Sequence, residues 1–172
     1  IIIDSTNLAT GEKFVQIDLG SAFACGVTSL GNGFCWGADT NDKLGNGVTT
    51  GNQNIPVAMT ISNLAAGEKF TTISTGNNHA CGITSINKAY CWGSDDDAQI
   101  GNGATTGDQD EPVVVDITNL AAGEIFTKIE TGSASNCGLT NLGNIFCWGS
   151  DAVGSLGNGA GITNQNIPTG VD

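Results

Sequence analysis

The chain has 172 residues, with 17 acidic side chains against five lysines, no arginine and a formal net charge of −12. That balance excludes nucleic acid, whose phosphates need basic neighbours, and docking on anionic lipid. No apolar run approaches the ~18 residues that read as a membrane-spanning helix, so no membrane insertion is expected.

In chain order, residues 1–10 read as the end of a preceding repeat. Ile1-Ile2-Ile3 is only strand-sized, and Ile3-Asp4-Ser5-Thr6-Asn7-Leu8-Ala9-Thr10 lines up with Val115-Asp116-Ile117-Thr118-Asn119-Leu120-Ala121-Ala122. A first unit occupies 11–66, a second 67–122, and a third, truncated, 123–172. Cys25, Cys81 and Cys137 keep a step of 56 residues. So do Cys35, Cys91 and Cys147; Trp36, Trp92 and Trp148; and Pro56, Pro112 and Pro168. A fixed period of this size marks a repeat architecture. Both chain ends fall at nearly one phase, since Ile1 corresponds to Val57, Val113 and Thr169. The chain begins without Met or a charged leader, so a signal peptide is expected to be gone already, or the chain is a piece of something longer.

Within each unit the reading predicts about four short strands and no helix of ordinary length. In the second unit they are Phe70–Thr75, Ala80–Thr84, Ala89–Trp92 and a run around Pro112–Val115. The Ser62-Asn63-Leu64-Ala65-Ala66 stretch is expected to form one short helical turn. Between the second and third strands, Ser29-Leu30-Gly31 predicts a three-residue hairpin loop whose last position needs φ > 0. Its counterparts, Asn87 and Gly143, tolerate that geometry. This register sets Cys25 opposite Cys35, Cys81 opposite Cys91 and Cys137 opposite Cys147. Six cysteines allow many connectivities in principle; pairing within each unit is the simplest. With no C-x-x-C and one histidine, disulfides are favoured over a metal site, and they imply an oxidising compartment. Leu44-Gly45-Asn46-Gly47 and its copies read as turns, because no lysine and helix follow as in a phosphate loop.

The second unit reads Phe70-x-x-Ile73-x-x-Gly76-x-x-His79-Ala80-Cys81-Gly82-Ile83-Thr84, then Tyr90-Cys91-Trp92-Gly93-Ser94, Ile100-Gly101-Asn102-Gly103 and Pro112-Val113. This string resembles a repeat of the regulator-of-chromosome-condensation family. More narrowly, it is similar to the cysteine-paired versions found in secreted bacterial proteins. The resemblance implies an all-β fold, a β-propeller in which each repeat supplies one four-stranded blade and seven blades usually close the ring. It also implies that the Trp and Gly positions pack one blade on the next, and that loops on the two flat faces bind partners. Seven units at this step would need about 390 residues. Three blades therefore stay open unless completed by other copies or by a longer chain.

The candidate chemistry is sparse. His79 is the one histidine, and its repeat counterparts, Phe23 and Ser135, argue against a catalytic relay. Asp95, Asp96 and Asp97 are candidate Ca²⁺ ligands, set against a reading as solvated loop charge; no other cofactor is called for. The tryptophans at fixed phase predict blade packing. Phe23, Asn77, Asn78, His79, Ser133 and Ser135 lie at variable loop positions that would face a partner. The expected function is that of an extracellular or cell-surface protein-binding module with no catalysis of its own. The alternatives are a subunit polymerising head to tail into a filament or surface layer, and an accessory domain of a larger secreted enzyme. Expected partners are other copies of the chain or further blades, and another protein.

Overall fold

A computed structural model describes residues 3–49, 51–104, 107–159 and 161–171. Ile1, Ile2 and Asp172, on which part of the end-phase expectation rests, lie outside the described residues. The fold is all-β: three antiparallel sheets of four strands, each ordered by sequence. The first comprises β1 (Phe14–Leu19), β2 (Phe23–Thr28), β3 (Gly33–Gly37) and β4 (Gln53–Ala58). The second comprises β5 (Phe70–Thr75), β6 (His79–Thr84), β7 (Ala89–Gly93) and β8 (Gln109–Val114). The third comprises β9 (Phe126–Thr131), β10 (Ser135–Thr140), β11 (Ile145–Gly149) and β12 (Gln165–Gly170). The third sheet holds all four of its strands.

Local chemistry accounts for these elements. Gly31, Asn87 and Gly143 take φ of 73°, 62° and 85°, so the hairpin loops close as their residue types require. Pro56, Pro112 and Pro168 sit on β4, β8 and β12, the outermost strands, where a missing N–H costs no ladder bond. The stretch around Leu64 forms successive reverse turns, Leu64 N–H to Ile61 and Glu68 N–H to Ala65, and not the helical turn expected. Among the described residues the one helical element is a 3₁₀ turn at Thr40–Asp42.

The hairpin register pairs Cys25 with Cys35, Cys81 with Cys91 and Cys137 with Cys147. All three pairs are disulfide-bonded within their own sheets. Each sheet has two apolar faces, and the core lies between sheets. One cluster joins Phe23, Val27, Leu44 and Met59 to Ile73, Ala80, Tyr90 and Trp92. A second joins Ile83, Ala89, Ile100 and Val115 to Phe126, Ile129, Phe146 and Trp148.

Each bridge closes a loop with a sequence separation of 10. Replacing Cys81 and Cys91 together by serine should lower unfolding free energy by about 3 kcal/mol, the loop-closure entropy for a ring of that size. A urea midpoint unchanged from the parent chain would contradict it.

Candidate functional site

The joints between sheets combine the apolar core with a set of polar contacts. Trp92 and Trp148 are completely buried. Each indole lies on a glycine of the preceding unit: a Cβ added at Gly45 would meet Trp92 at 2.7 Å, and one at Gly101 would meet Trp148 at 2.6 Å. Both glycines have positive φ, so the Leu-Gly-Asn-Gly turn is built to receive the ring. The indole N–H then donates to a backbone carbonyl, Trp92 to Lys43 O at 3.1 Å and Trp148 to Gln99 O at 3.0 Å. This satisfies the one polar atom that burial would otherwise strand. A clamp repeats on the outside, where Asn7, Asn63 and Asn119 donate to the carbonyls of Pro56, Pro112 and Pro168.

Two contacts differ from joint to joint. At the first, Phe23 packs into the cluster that holds Ala80, with the Lys43 ammonium over its ring at 5.2 Å. At the second, His79 Nε2 and Asn136 Oδ1 hydrogen-bond at 2.8 Å, and Asn136 Nδ2 donates to Gln99 O at 2.8 Å. Burial pushes the His79 imidazole down to about 4, so the neutral ring donates from Nε2. Nearer solvent, Asn41 Nδ2 donates to Asp108 at 2.8 Å across the first joint, and Asn164 Nδ2 donates to Asp97 at 3.1 Å across the second.

These positions correct part of the sequence reading. Phe23 and His79 are buried and unavailable to a partner. They begin β2 and β6, whose first side chains turn onto the next sheet instead of into the loop. Ser135 holds the same place on β10 and is only half-buried, since no sheet follows it. Asn77, Asn78 and Ser133 are exposed at the turns between the first and second strands. Trp92 and Trp148 do pack blade on blade, whereas Trp36 is not fully covered, because no sheet precedes it.

The three aspartates named for calcium do not converge. Asp95 is buried and accepts the Ile100 N–H at 3.1 Å. Asp96 is exposed, and Asp97 belongs to the joint with Asn164. Among the described residues no three His, Cys, Asp or Glu side chains form a metal-sized group. Asp39 and Asp151 repeat the role of Asp95, accepting the N–H groups of Leu44 and Leu156. Their step of 56 residues was a signal in the sequence for a structural pin. Glu12, Glu68 and Glu124 form a second such set, accepting from Thr28, Thr84 and Thr140 and from the N–H groups of Ala9, Ala65 and Ala121. The Thr28 and Thr140 hydroxyls hold Glu12 and Glu124 below the usual carboxylate range. At Glu68 burial opposes ionisation, but the Thr84 hydroxyl and Ala65 N–H prevail and its carboxyl is also lowered.

The two outer flanks of the array are uncovered. Ile17 is 52% exposed, whereas its counterparts Ile73 and Ile129 are 3% and 7% exposed. On the last sheet Leu139 and Ile145 are exposed where Ile83 and Ala89 are buried. The loops divide by charge as well. The ends of the sheets carrying Asn77, Asn78 and Ser133 also carry Asp42, Asp96, Asp97 and Asp108, and their one lysine, Lys43, is buried. Lys13, Lys69 and Lys88 lie at the opposite ends, beside Glu12, Glu68 and Glu124, whose carboxylates are engaged by Thr28, Thr84 and Thr140.

The arrangement agrees with known proteins. Residues 61–99 match the family described as the regulator of chromosome condensation (RCC1) repeat. The chain is 29% identical over 149 residues to the human E3 ubiquitin-protein ligase HERC2, covering 87% of this chain and 3% of the ligase. It is 28% identical over 143 residues to the mitochondrial RCC1 domain-containing protein RUG3 of Arabidopsis thaliana, covering 83% of this chain and 30% of that protein. The chain thus spans well under half of the curated relatives it matches. Human WBSCR16 superposes with a TM-score of 0.81 at 21% identity, over 94% of this chain and 40% of its own. Yeast RCC1 (Prp20), solved bound to Kap60, superposes at 0.76 and 15% identity, over 92% and 37%. A further structure, of Prp20p from Saccharomyces cerevisiae, studied also for binding to Gsp1p and histones, gives 0.73 at 19% identity, over 96% and 38%. The three sheets are RCC1-like propeller blades.

Trp148→Ala should cost about 3–5 kcal/mol, as for other buried aromatics, while Trp36→Ala costs clearly less; urea unfolding of the two variants checks the contrast. The fold excludes charged His79 and the unfolded chain does not, so stability should fall as pH drops from 6.5 through about 4. The loss attributable to this one ring is about 3 kcal/mol. Below the usual glutamate pKa, protonation of Glu12, Glu68 and Glu124 should add to it. An imidazole resonance titrating near 6.5 in the folded protein would refute the assignment.

Proposed function

We propose that this chain supplies blades to a non-catalytic propeller that works outside the cell and binds another protein through the ends carrying the acidic loops. The observation that supports this reading is a division of labour within the repeat. Trp, Gly, Pro, Cys, Asp39-type and Glu12-type positions recur in all three units and are occupied in packing. The exposed turns at Asn77, Asn78 and Ser133, and the loops holding Asp42 and Asp96, differ from unit to unit. Asn77 and Ser133 hydrogen-bond each other and Asn78 accepts from Lys43, yet all three stay exposed, and exposed, variable loops on a rigid scaffold are where recognition resides. Their charge suits a basic surface on the partner. Three disulfides favour an oxidising compartment, cell exterior or surface. The comparison proteins fit a binding role, since yeast RCC1 is bound by Kap60.

A second reading, a subunit that polymerises head to tail, draws on the flanks: Trp36 at one end has no cradle, and Gly157 at the other has no indole. A role beside an enzyme in a longer secreted chain is compatible with the small share of the ligase that these repeats match.

Proteins cross-linked to the native chain at its surface would be identified and their affinity measured. Asp42→Lys with Asp96→Lys should weaken binding by roughly tenfold or more and flatten its salt dependence. Lys13→Glu with Lys88→Glu, at the opposite ends, should leave it unchanged. The reverse pattern would move the binding face; loss in neither would remove the proposal.

A further inference from the structure

We infer that the open flank of the third sheet is shaped for a further repeat that differs from all three present, and that it is not the complement of this chain's own first sheet. The inference rests on the reading that further blades cover the flanks. Its evidence is the pairing already seen at the two internal joints.

Each internal joint matches at two separate points. Where the first strand-two residue is large, Phe23, it shares a core cluster with the small Ala80; where it is His79, it hydrogen-bonds Asn136. Near the surface each joint unites one amide with one carboxylate, and the sides are reversed: Asn41 with Asp108, then Asp97 with Asn164. A shuffled joint would fail at one point or the other. Asp97 set against Asp108 would face two carboxylates, and Phe23 set against Asn136 would bury an amide without its partner. The apolar seat gives cohesion, and these pairs give order.

At the outer flanks the same positions do not match. The third sheet presents Ser135 where Phe23 and His79 stand, and the first sheet would meet it with Ala24, leaving a void between two small residues. It presents Val153, 86% exposed, where Asn41 and Asp97 stand, and the first sheet would meet it with Asn52, an amide without an acceptor. It presents Ile145 where Gly33 and Ala89 stand, although the opposing Phe14 and Ile17 are no smaller than Phe70 and Ile73. At the Gly33 position a Cβ would already meet Met59 at 2.5 Å and Ile73 at 3.4 Å. Lys128 and Glu130 pair with each other at 2.7 Å. Their counterparts Gln16, Asp18 and Ser74 instead bond the backbone of the next sheet. The unit that fits carries an indole for the Gly157 turn, a side chain larger than alanine opposite Ser135, and an apolar residue opposite Val153. A charge of −12 on every copy opposes self-association further.

Sedimentation velocity on the native chain and on the variant Ser135→Phe, Ile145→Ala, Val153→Asp tests this. The variant restores a large residue against Ala24, a small one against Ile17 and a carboxylate against Asn52. It should self-associate roughly tenfold or more tightly than the native chain. Equal association of both, with Trp36 fluorescence shifting on assembly, overturns the inference and leaves the covering of flanks by blades intact. Association of neither overturns both. An internal control does not depend on assembly: Ala89→Ile with Asp97→Val gives the second sheet the outer flank of the third. That change should lower the urea midpoint and speed amide exchange across the third sheet. An unchanged midpoint would overturn the inference by itself.

Discussion

The indole seated on a glycine turn of the preceding unit is the contact on which the rest of the molecule depends. A four-stranded sheet of this size has two apolar faces and cannot hide either one alone. Trp92 and Trp148 bring most of the large side chains with them into a shared cluster, and the positive-φ glycines allow the close approach. The buried indole N–H has a carbonyl waiting in both cases. Stability is therefore a property of joints more than of blades, as expected for arrays with nearest-neighbour packing.

Each blade nevertheless arrives with its own internal pins. The disulfide ties the second and third strands, the Asp39-type carboxylate closes the long loop, and the Glu12-type carboxylate ties the loop before the first strand to the hairpin. These three devices keep the glycine-rich loops in one shape, so that the flank offered to the neighbour is already formed. Each of these carboxylates accepts at least one hydroxyl or N–H donor, which offsets part of the cost of burial, though burial still pushes the Asp39 carboxyl up. With five lysines against 17 acidic side chains, few acids can find a cation, and several accept backbone and hydroxyl donors inside the repeat.

The two joints are alike in their apolar seat and unlike in their polar detail. Residues that look variable in an alignment of the three units, such as Phe23 and His79, are variable because each faces a different neighbour. Variation in a repeat protein thus has two sources, the surface that meets a partner and the flank that meets a sibling. Only burial separates them.

The sequence by itself determined the period, the four strands per unit, the hairpin register, the cysteine pairs and the place of tryptophan in packing. All of these follow from local rules, turn geometry and alternation, repeated three times at one phase. Tertiary structure decided what the sequence could not: that His79 meets Asn136 and that Asn41 and Asp97 find opposite partners. It also decided that Trp36 is the one indole of the three that is not fully covered. The cross-joint hydrogen bonds among these join residues 57 to 67 positions apart. No local rule reaches that far, because which side chain faces which is fixed only when two sheets press together.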